Sequence, residues 1–399
     1  MAKRKYCSTV FLFIAICMTG SVFLVYVCVN TINTYVVPIT RVPEIYADIR
    51  NSGLGEIIEK VQKNITINAT VVKDIPVVQE VIKRIDHPVL SHAYKRISKI
   101  RLYQTELRKN LTAILSSLEN WKMNMTRIQE IRNALSKMNG PTFMFTQSTS
   151  PIGRKYYNSF IDDPVVIDKY KRTLLPMVSP FTTKRLFRTC AVVGNGGILR
   201  HNNCGQEIDS HDYVIRANLQ PIQRFANLAG AKTNLTSINP TRIRDRYQSL
   251  HSVQSERRFA RDLLEYEGSL LWIPNSKSVN NSVAFKVARV VQQNTTLQIL
   301  LADAKHFKLL ENYWKSKKML SSGMALVSVG LSLCEELHLY GFWPFKINAN
   351  GVPLAMHYTN DIRWSSYANS HDYPYEFQLL TRLHQDGVLR LHAKKCTYV

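Results

Sequence analysis

Acidic residues are scarce in this chain of 399 residues, with 29 Asp and Glu against 52 Lys and Arg and a net charge of +23. Nowhere do two aspartates stand as Asp-X-Asp, which argues against chemistry that needs a carboxylate-held divalent cation at a diphosphate. No Cys-X-X-Cys occurs, so a zinc knuckle or ribbon is not expected. Internal repeats and low-complexity tracts are also missing, which excludes solenoids and disordered arrays. The longest absence is of charge itself: no Asp, Glu, Lys, Arg or His stands between Lys5 and Arg41.

Within that gap, residues 7–29 are almost wholly apolar. That length suits a spanning helix, which needs about 20 residues, better than the shorter core of a cleavable signal. Lys3, Arg4 and Lys5 precede it, so the positive-inside rule leaves residues 1–6 cytoplasmic and sends the rest across the membrane. Seven Asn-X-Ser/Thr sequons follow, at Asn64, Asn68, Asn110, Asn124, Asn234, Asn280 and Asn294. Beyond the anchor only Cys190, Cys204, Cys334 and Cys396 remain, an even set that fits two disulfides in an oxidising lumen, with three connectivities open. The positive charge would serve nucleic acid in another compartment; here it fits anionic small molecules or a solvated surface.

Residues 30–85 read as a polar, sequon-bearing stem and 86–399 as one luminal domain. Leu107, Leu111, Ile114, Leu118, Trp121, Met125, Ile128 and Leu135 recur at nearly 3.5-residue spacing, predicting one helix with Arg132 as an interruption and Gly140 as a stop. A dimerising coiled coil is one use of that stripe; sequons at Asn110 and Asn124 beside it favour packing on the chain's own domain, and a homodimer stays compatible. From Leu186 short β-rich runs alternate with helical stretches: 189–193, 213–215, 235–238, 270–273, 297–301 and 337–342. The alternation predicts an α/β domain on a largely parallel sheet, with ligands at the carboxyl ends of its strands.

Two blocks carry candidate chemistry. Cys190-Ala-Val-Val-Gly-Asn195-Gly-Gly197 enters a glycine turn whose amides could approach an anion, with Asn195 at its tip. Ser321-Ser322-Gly323 opens an apolar run, as an anion site or as a simple N-cap. Downstream, Gly341-Phe-Trp343-Pro-Phe345 is an aromatic cluster for a base or for the core. His357, and His371 with Glu376 five residues on, are candidates for proton transfer.

In order and spacing these blocks resemble the animal sialyltransferase family over about Met138–Val399. Cys190–Pro240 looks like its large motif, Ser321–Phe345 the small one, His357–Asn360 the third and His371–Glu376 the very small one. Cys-Ala-Val-Val-Gly-Asn-Gly-Gly-Ile, Lys-Thr-Asn234-Leu and Tyr-Gly-Phe-Trp-Pro-Phe are most similar to the α-2,8 branch. The resemblance implies a GT-A-like, Rossmann-like single catalytic domain in the Golgi membrane, type II, transferring sialic acid from CMP-sialic acid to sialylated glycolipid or glycoprotein, with inversion and without metal. It implies Asn195 and Asn218 at phosphate and ribose, Ser321, Ser322 and Gly323 at the CMP and sialyl carboxylate, and Trp343 beside cytidine. It implies His357 on the departing phosphate and His371 as general base. It selects Cys190 with Cys334 and Cys204 with Cys396, the first bridge pinning the two loops together.

The chain departs from that pattern where Met356 replaces a histidine, where Thr359-Asn360 replace Tyr-Asp, and at Ser322, where threonine is usual. These touch acceptor choice and rate. The competing expectations are an α-2,3- or α-2,6-sialyltransferase acting on galactose or N-acetylgalactosamine, and a catalytically weak CMP- or glycan-binding glycoprotein.

Overall fold

The computed structural model describes residues 105–399 apart from 159–160, 182–184, 275–280, 367–370 and 397–399. The expected tail, anchor and stem lie outside the described residues, as do the sequons at Asn64, Asn68 and Asn280. Among the described residues no helix is long and apolar enough to cross a membrane. Ser98–Val399 forms one unit.

A hairpin of β1 (Lys155–Asn158) and β2 (Ile161–Val166) precedes the main sheet. That sheet contains β3 (Phe187–Val193), β4 (Tyr213–Arg216), β5 (Leu235–Ser237), β6 (Leu270–Ile273), β7 (Gln298–Leu301), β8 (Cys334–Tyr340) and β9 (Arg390–His392). Their order is β7-β6-β5-β4-β3-β8-β9, and every pairing is parallel. Parallel strands are covered on both faces, which explains why Cys190-Ala-Val-Val193 and Tyr213-Val-Ile-Arg216 are buried throughout rather than alternately. The six expected strands are all present. The hairpin and β9 were not expected: they are short, and β9 is only Arg-Leu-His.

Strand order reverses at β3, where the chain steps to β4 on one side and takes β8 on the other. Such a switch point opens a crevice at the carboxyl ends of the strands. Helix Ser322–Leu333 enters β8 directly, and Met324 through Leu331 are buried all round, as a helix enclosed in a core must be.

The single N-terminal helix expected from 107 to 135 is instead two, at 105–117 and Met125–Thr142. Asn120 turns the chain with a left-handed φ of 57°. Asn124 then caps the second helix, accepting from Arg127 N at 3.1 Å. Gly140 does not stop this helix, which continues to Thr142. Leu111, Ile128, Ile131 and Leu135 enter the domain's own core, the use favoured by the sequence. Arg132 is no interruption: the residue is 6% exposed, and its guanidinium donates to Leu331 O at 3.3 Å and Cys334 O at 2.6 Å, capping helix Ser322–Leu333 with positive charge.

The disulfides are Cys190–Cys334 and Cys204–Cys396. The first joins β3 to the amino end of β8, so it lies upstream of both loops and does not pin them directly.

Candidate active site

The glycine turn after β3 meets the turn after β8 through the backbone. Gly194 N donates to Tyr340 O at 2.8 Å, Gly196 N to Gly341 O at 2.9 Å, and Gly197 N to Met356 O at 3.2 Å. A Cβ on Gly196 would stand 2.5 Å from Gly341 O, and one on Gly197 2.0 Å from Ala355 O. These amides therefore do not cradle an anion, contrary to the sequence expectation. Glycine is needed because three chain segments touch here, and the amides join them.

The side chains at this junction remain available to a ligand. Asn195 Nδ2 donates to Ala217 O at 3.2 Å, which fixes the orientation of its amide. Asn218 follows β4 in the left-handed region at φ 63°, a conformation asparagine tolerates, and its N–H donates to Ser237 Oγ at 3.2 Å.

Ser321 is the N-cap of its helix, accepting from Met324 N at 3.1 Å. Its hydroxyl donates to Glu376 Oε2 at 2.6 Å and its own amide to Glu376 Oε1 at 2.7 Å. Ser321 thus holds the helix start, while Ser322 and Gly323 occupy the first turn, where N–H groups have no intrahelical acceptor. Burial pushes the Glu376 carboxyl up to about 7, against the hydrogen bonds from Ser321. Trp343 is 4% exposed, donates from Nε1 to Ile347 O at 2.9 Å, and packs on Phe345 and Phe377. It forms a wall of the cleft that is anchored in the core.

Both histidines are oriented through Nδ1. His357 Nδ1 lies 2.8 Å from Asp361 Oδ1. Asp361 also accepts from Arg242 at 3.0 Å, Gln220 at 3.2 Å and the Thr359 hydroxyl at 2.9 Å. Burial works to raise this carboxyl, but the hydrogen bonds from His357, Thr359 and Arg242 outweigh it and hold the group well below the usual carboxylate range. His371 Nδ1 donates to Met319 O at 2.8 Å, leaving Nε2 as its basic nitrogen. Burial lowers its pKa, only partly opposed by that hydrogen bond.

Asn195, Asn218, Ser321, Ser322, Gly323, Trp343, His357 and His371 all line one open cleft at the carboxyl ends of β3, β4 and β8. The four cysteines stand apart from it as structural bridges. Sequence reasoning missed Asp361, Gln220 and Arg242. Asp361 had a signal, since it stands four residues after His357.

The cleft thus lies at a parallel-sheet switch point and is lined by side-chain amides, a helix start and two oriented imidazoles, an arrangement suited to group transfer. Residues 144–388 match the family described as glycosyltransferase family 29 (sialyltransferase). The chain is 32% identical over 286 residues to an alpha-N-acetylneuraminide alpha-2,8-sialyltransferase of Xenopus tropicalis, covering 69% of this chain and 81% of that protein. The chain belongs to the sialyltransferases of glycosyltransferase family 29. Among solved structures it is similar to a mammalian sialyltransferase in complex with Gal-beta-1-3GalNAc-ortho-nitrophenol, at 19% identity and a TM-score of 0.43, covering 70% of this chain and 89% of that one. A second structure of a mammalian sialyltransferase gives 19% identity and a TM-score of 0.41, covering 65% and 95%.

Proposed function

We propose that the chain transfers sialic acid from CMP-sialic acid to a terminal sialic acid on a glycolipid or glycoprotein, forming an α-2,8 linkage with inversion. The observation that carries this reading is the convergence of Asn195, Asn218, Ser322, Gly323, His357 and His371 on one cleft. The α-2,8 relative supports the linkage.

In the reaction, the acceptor hydroxyl oxygen bonds to the sialyl anomeric carbon as that carbon's bond to the phosphate oxygen breaks. The hydroxyl proton passes to Nε2 of His371, and the electron pair leaves with CMP. His357, with Asp361 facing its Nδ1, hydrogen-bonds the departing phosphate through Nε2. Asn195 and Asn218 hold phosphate and ribose, Ser322 and Gly323 the sialyl carboxylate region, and Trp343 borders the cytidine. A phosphate monoester leaves without the cation that a diphosphate would want, and no Asp-X-Asp is present to hold one. The setting is the Golgi lumen, with residues 7–29 as a type II anchor; the apolar run, the sequons and the disulfides support it.

The test is linkage analysis of products from paired sialylated and asialo acceptors, with and without chelator. Transfer to the sialylated acceptors in both conditions is expected. Transfer to asialo acceptors alone overturns the α-2,8 reading.

A further inference from the structure

Trp364 and Tyr373 also line the cleft, outside the set of residues that serves the donor. Both belong to the same stretch of chain as the two histidines, Trp364 between them and Tyr373 two residues beyond His371. Each is held from outside the cleft. Trp364, in the short turn Trp364–Ser366, donates from Nε1 to Leu354 O at 2.6 Å, so the indole's one polar group is spent and what it presents to a ligand is apolar ring. Tyr373 opens helix Tyr373–Gln385, whose first turn is capped by Asp372, accepting from Tyr375 N at 3.3 Å. Its ring centroid stands 5.4 Å from that of His371, edge to face at 61°. A molecule resting against Tyr373 is therefore next to the base.

The charge of the cleft wall bears on what such a molecule meets. Among the described residues no lysine or arginine lines the cleft, although the chain carries 52 of them. The one carboxyl in the lining, Glu376, is taken up by Ser321. An anionic acceptor finds no ion pair in this wall, so surface contact has to hold it. A terminal sialic acid offers that contact: part of its ring surface is C–H, and its acetamido group ends in a methyl. Its 8-hydroxyl stands on a flexible three-carbon side chain, and fixing the ring is what brings that hydroxyl to a base.

We propose that Trp364 and Tyr373 form the acceptor subsite, gripping the terminal sugar between aromatic surfaces beside His371 and without an ion pair. They are specificity-determining residues of the transfer, and the subsite rests on the cleft being a sialyl-transfer site. The donor side and the acceptor side then come from different parts of the fold: the strand ends and helix Ser322–Leu333 on one hand, the chain around His371 on the other.

The test measures initial rates with the full chain in mild detergent, CMP-sialic acid, and the most active of a panel of sialylated oligosaccharides that includes sialyllactose. Trp364→Leu and Tyr373→Leu keep apolar bulk and lose the aromatic face. Each is expected to raise the acceptor KM by about 3–10-fold, the range for one lost ring contact, while the donor KM and the calorimetric affinity for CMP stay at the wild-type values. Trp364→Phe and Tyr373→Phe return a ring and are expected to recover most of the loss, a split that a merely structural role does not produce. A wild-type chain that transfers to no acceptor overturns the subsite together with the transferase reading. A wild-type chain that does transfer, beside leucine variants that keep its acceptor KM or lose CMP affinity as well, overturns the subsite alone.

Discussion

Ser321 gives both of its donors to Glu376, the hydroxyl at 2.6 Å and the amide at 2.7 Å. The first turn of the buried helix beneath the cleft is thereby tied to helix Tyr373–Gln385, just beyond His371. A carboxyl in this setting responds to pH as well as to packing.

The folded-state pKa of Glu376 is about 7 against an ordinary 4.5. Between those values the folded chain holds a proton that the unfolded chain has released, so stability falls as pH rises through the window. Glu376→Gln removes that titration. Thermal unfolding from pH 4.5 to 7.5 is expected to show a flatter dependence in the variant; an unchanged slope would refute the assignment.

His371→Ala is expected to cut transfer by about 10²–10⁴-fold, the usual contribution of a general base. CMP affinity, measured by calorimetry, stays close to that of the wild type. Because burial lowers this imidazole from 6.5, the acid limb of the kcat profile is expected below that value. An acid limb at or above 6.5 would assign the base elsewhere.

Asp361→Asn removes the carboxylate that faces His357 Nδ1 at 2.8 Å. A fall in kcat of tenfold or more, about 1.4 kcal/mol, is expected with KM for the donor little changed. Arg242→Ala, which removes a 3.0 Å partner of the carboxylate, is expected to act in the same direction and more weakly. Equal loss from KM alone would make the pair a binding element only.

Asn234 belongs to a sequon, yet its Oδ1 accepts from Val214 N at 2.8 Å and its backbone bridges β4 to β6. Asn234 is partly buried and held within the sheet whereas Asn110 is exposed, so peptide mapping is expected to find Asn110 more fully occupied than Asn234. Greater occupancy at Asn234 than at Asn110 would contradict that expectation.

The strands were legible because a parallel sheet buried on both faces writes itself as continuous apolar runs, of which Cys190-Ala-Val-Val193 is the clearest. The cleft was legible as a set of residues and not as a mechanism of assembly. Nothing local distinguishes a glycine turn that receives a phosphate from one that receives another turn's carbonyl, and Gly196 does the latter. Arg132 broke an apolar stripe in sequence because its partner, Cys334 O, lies 202 residues away. β9 was invisible for the same reason: it is a three-residue strand whose existence depends on its neighbour.

The position of β3 between β4 and β8 imposes an order on the birth of the enzyme. Its second neighbour begins at Cys334, and the bridge from Cys204 waits for Cys396, 192 residues on. During synthesis the first half of the cleft must therefore stay soluble, one edge of its central strand unpaired, until most of the chain has been made. Pairings so distant in sequence are slow to form and exposed to wrong partners. Chains cut before Cys334 keep every residue of the glycine turn and lose β8 and the Gly341 carbonyl that the turn meets.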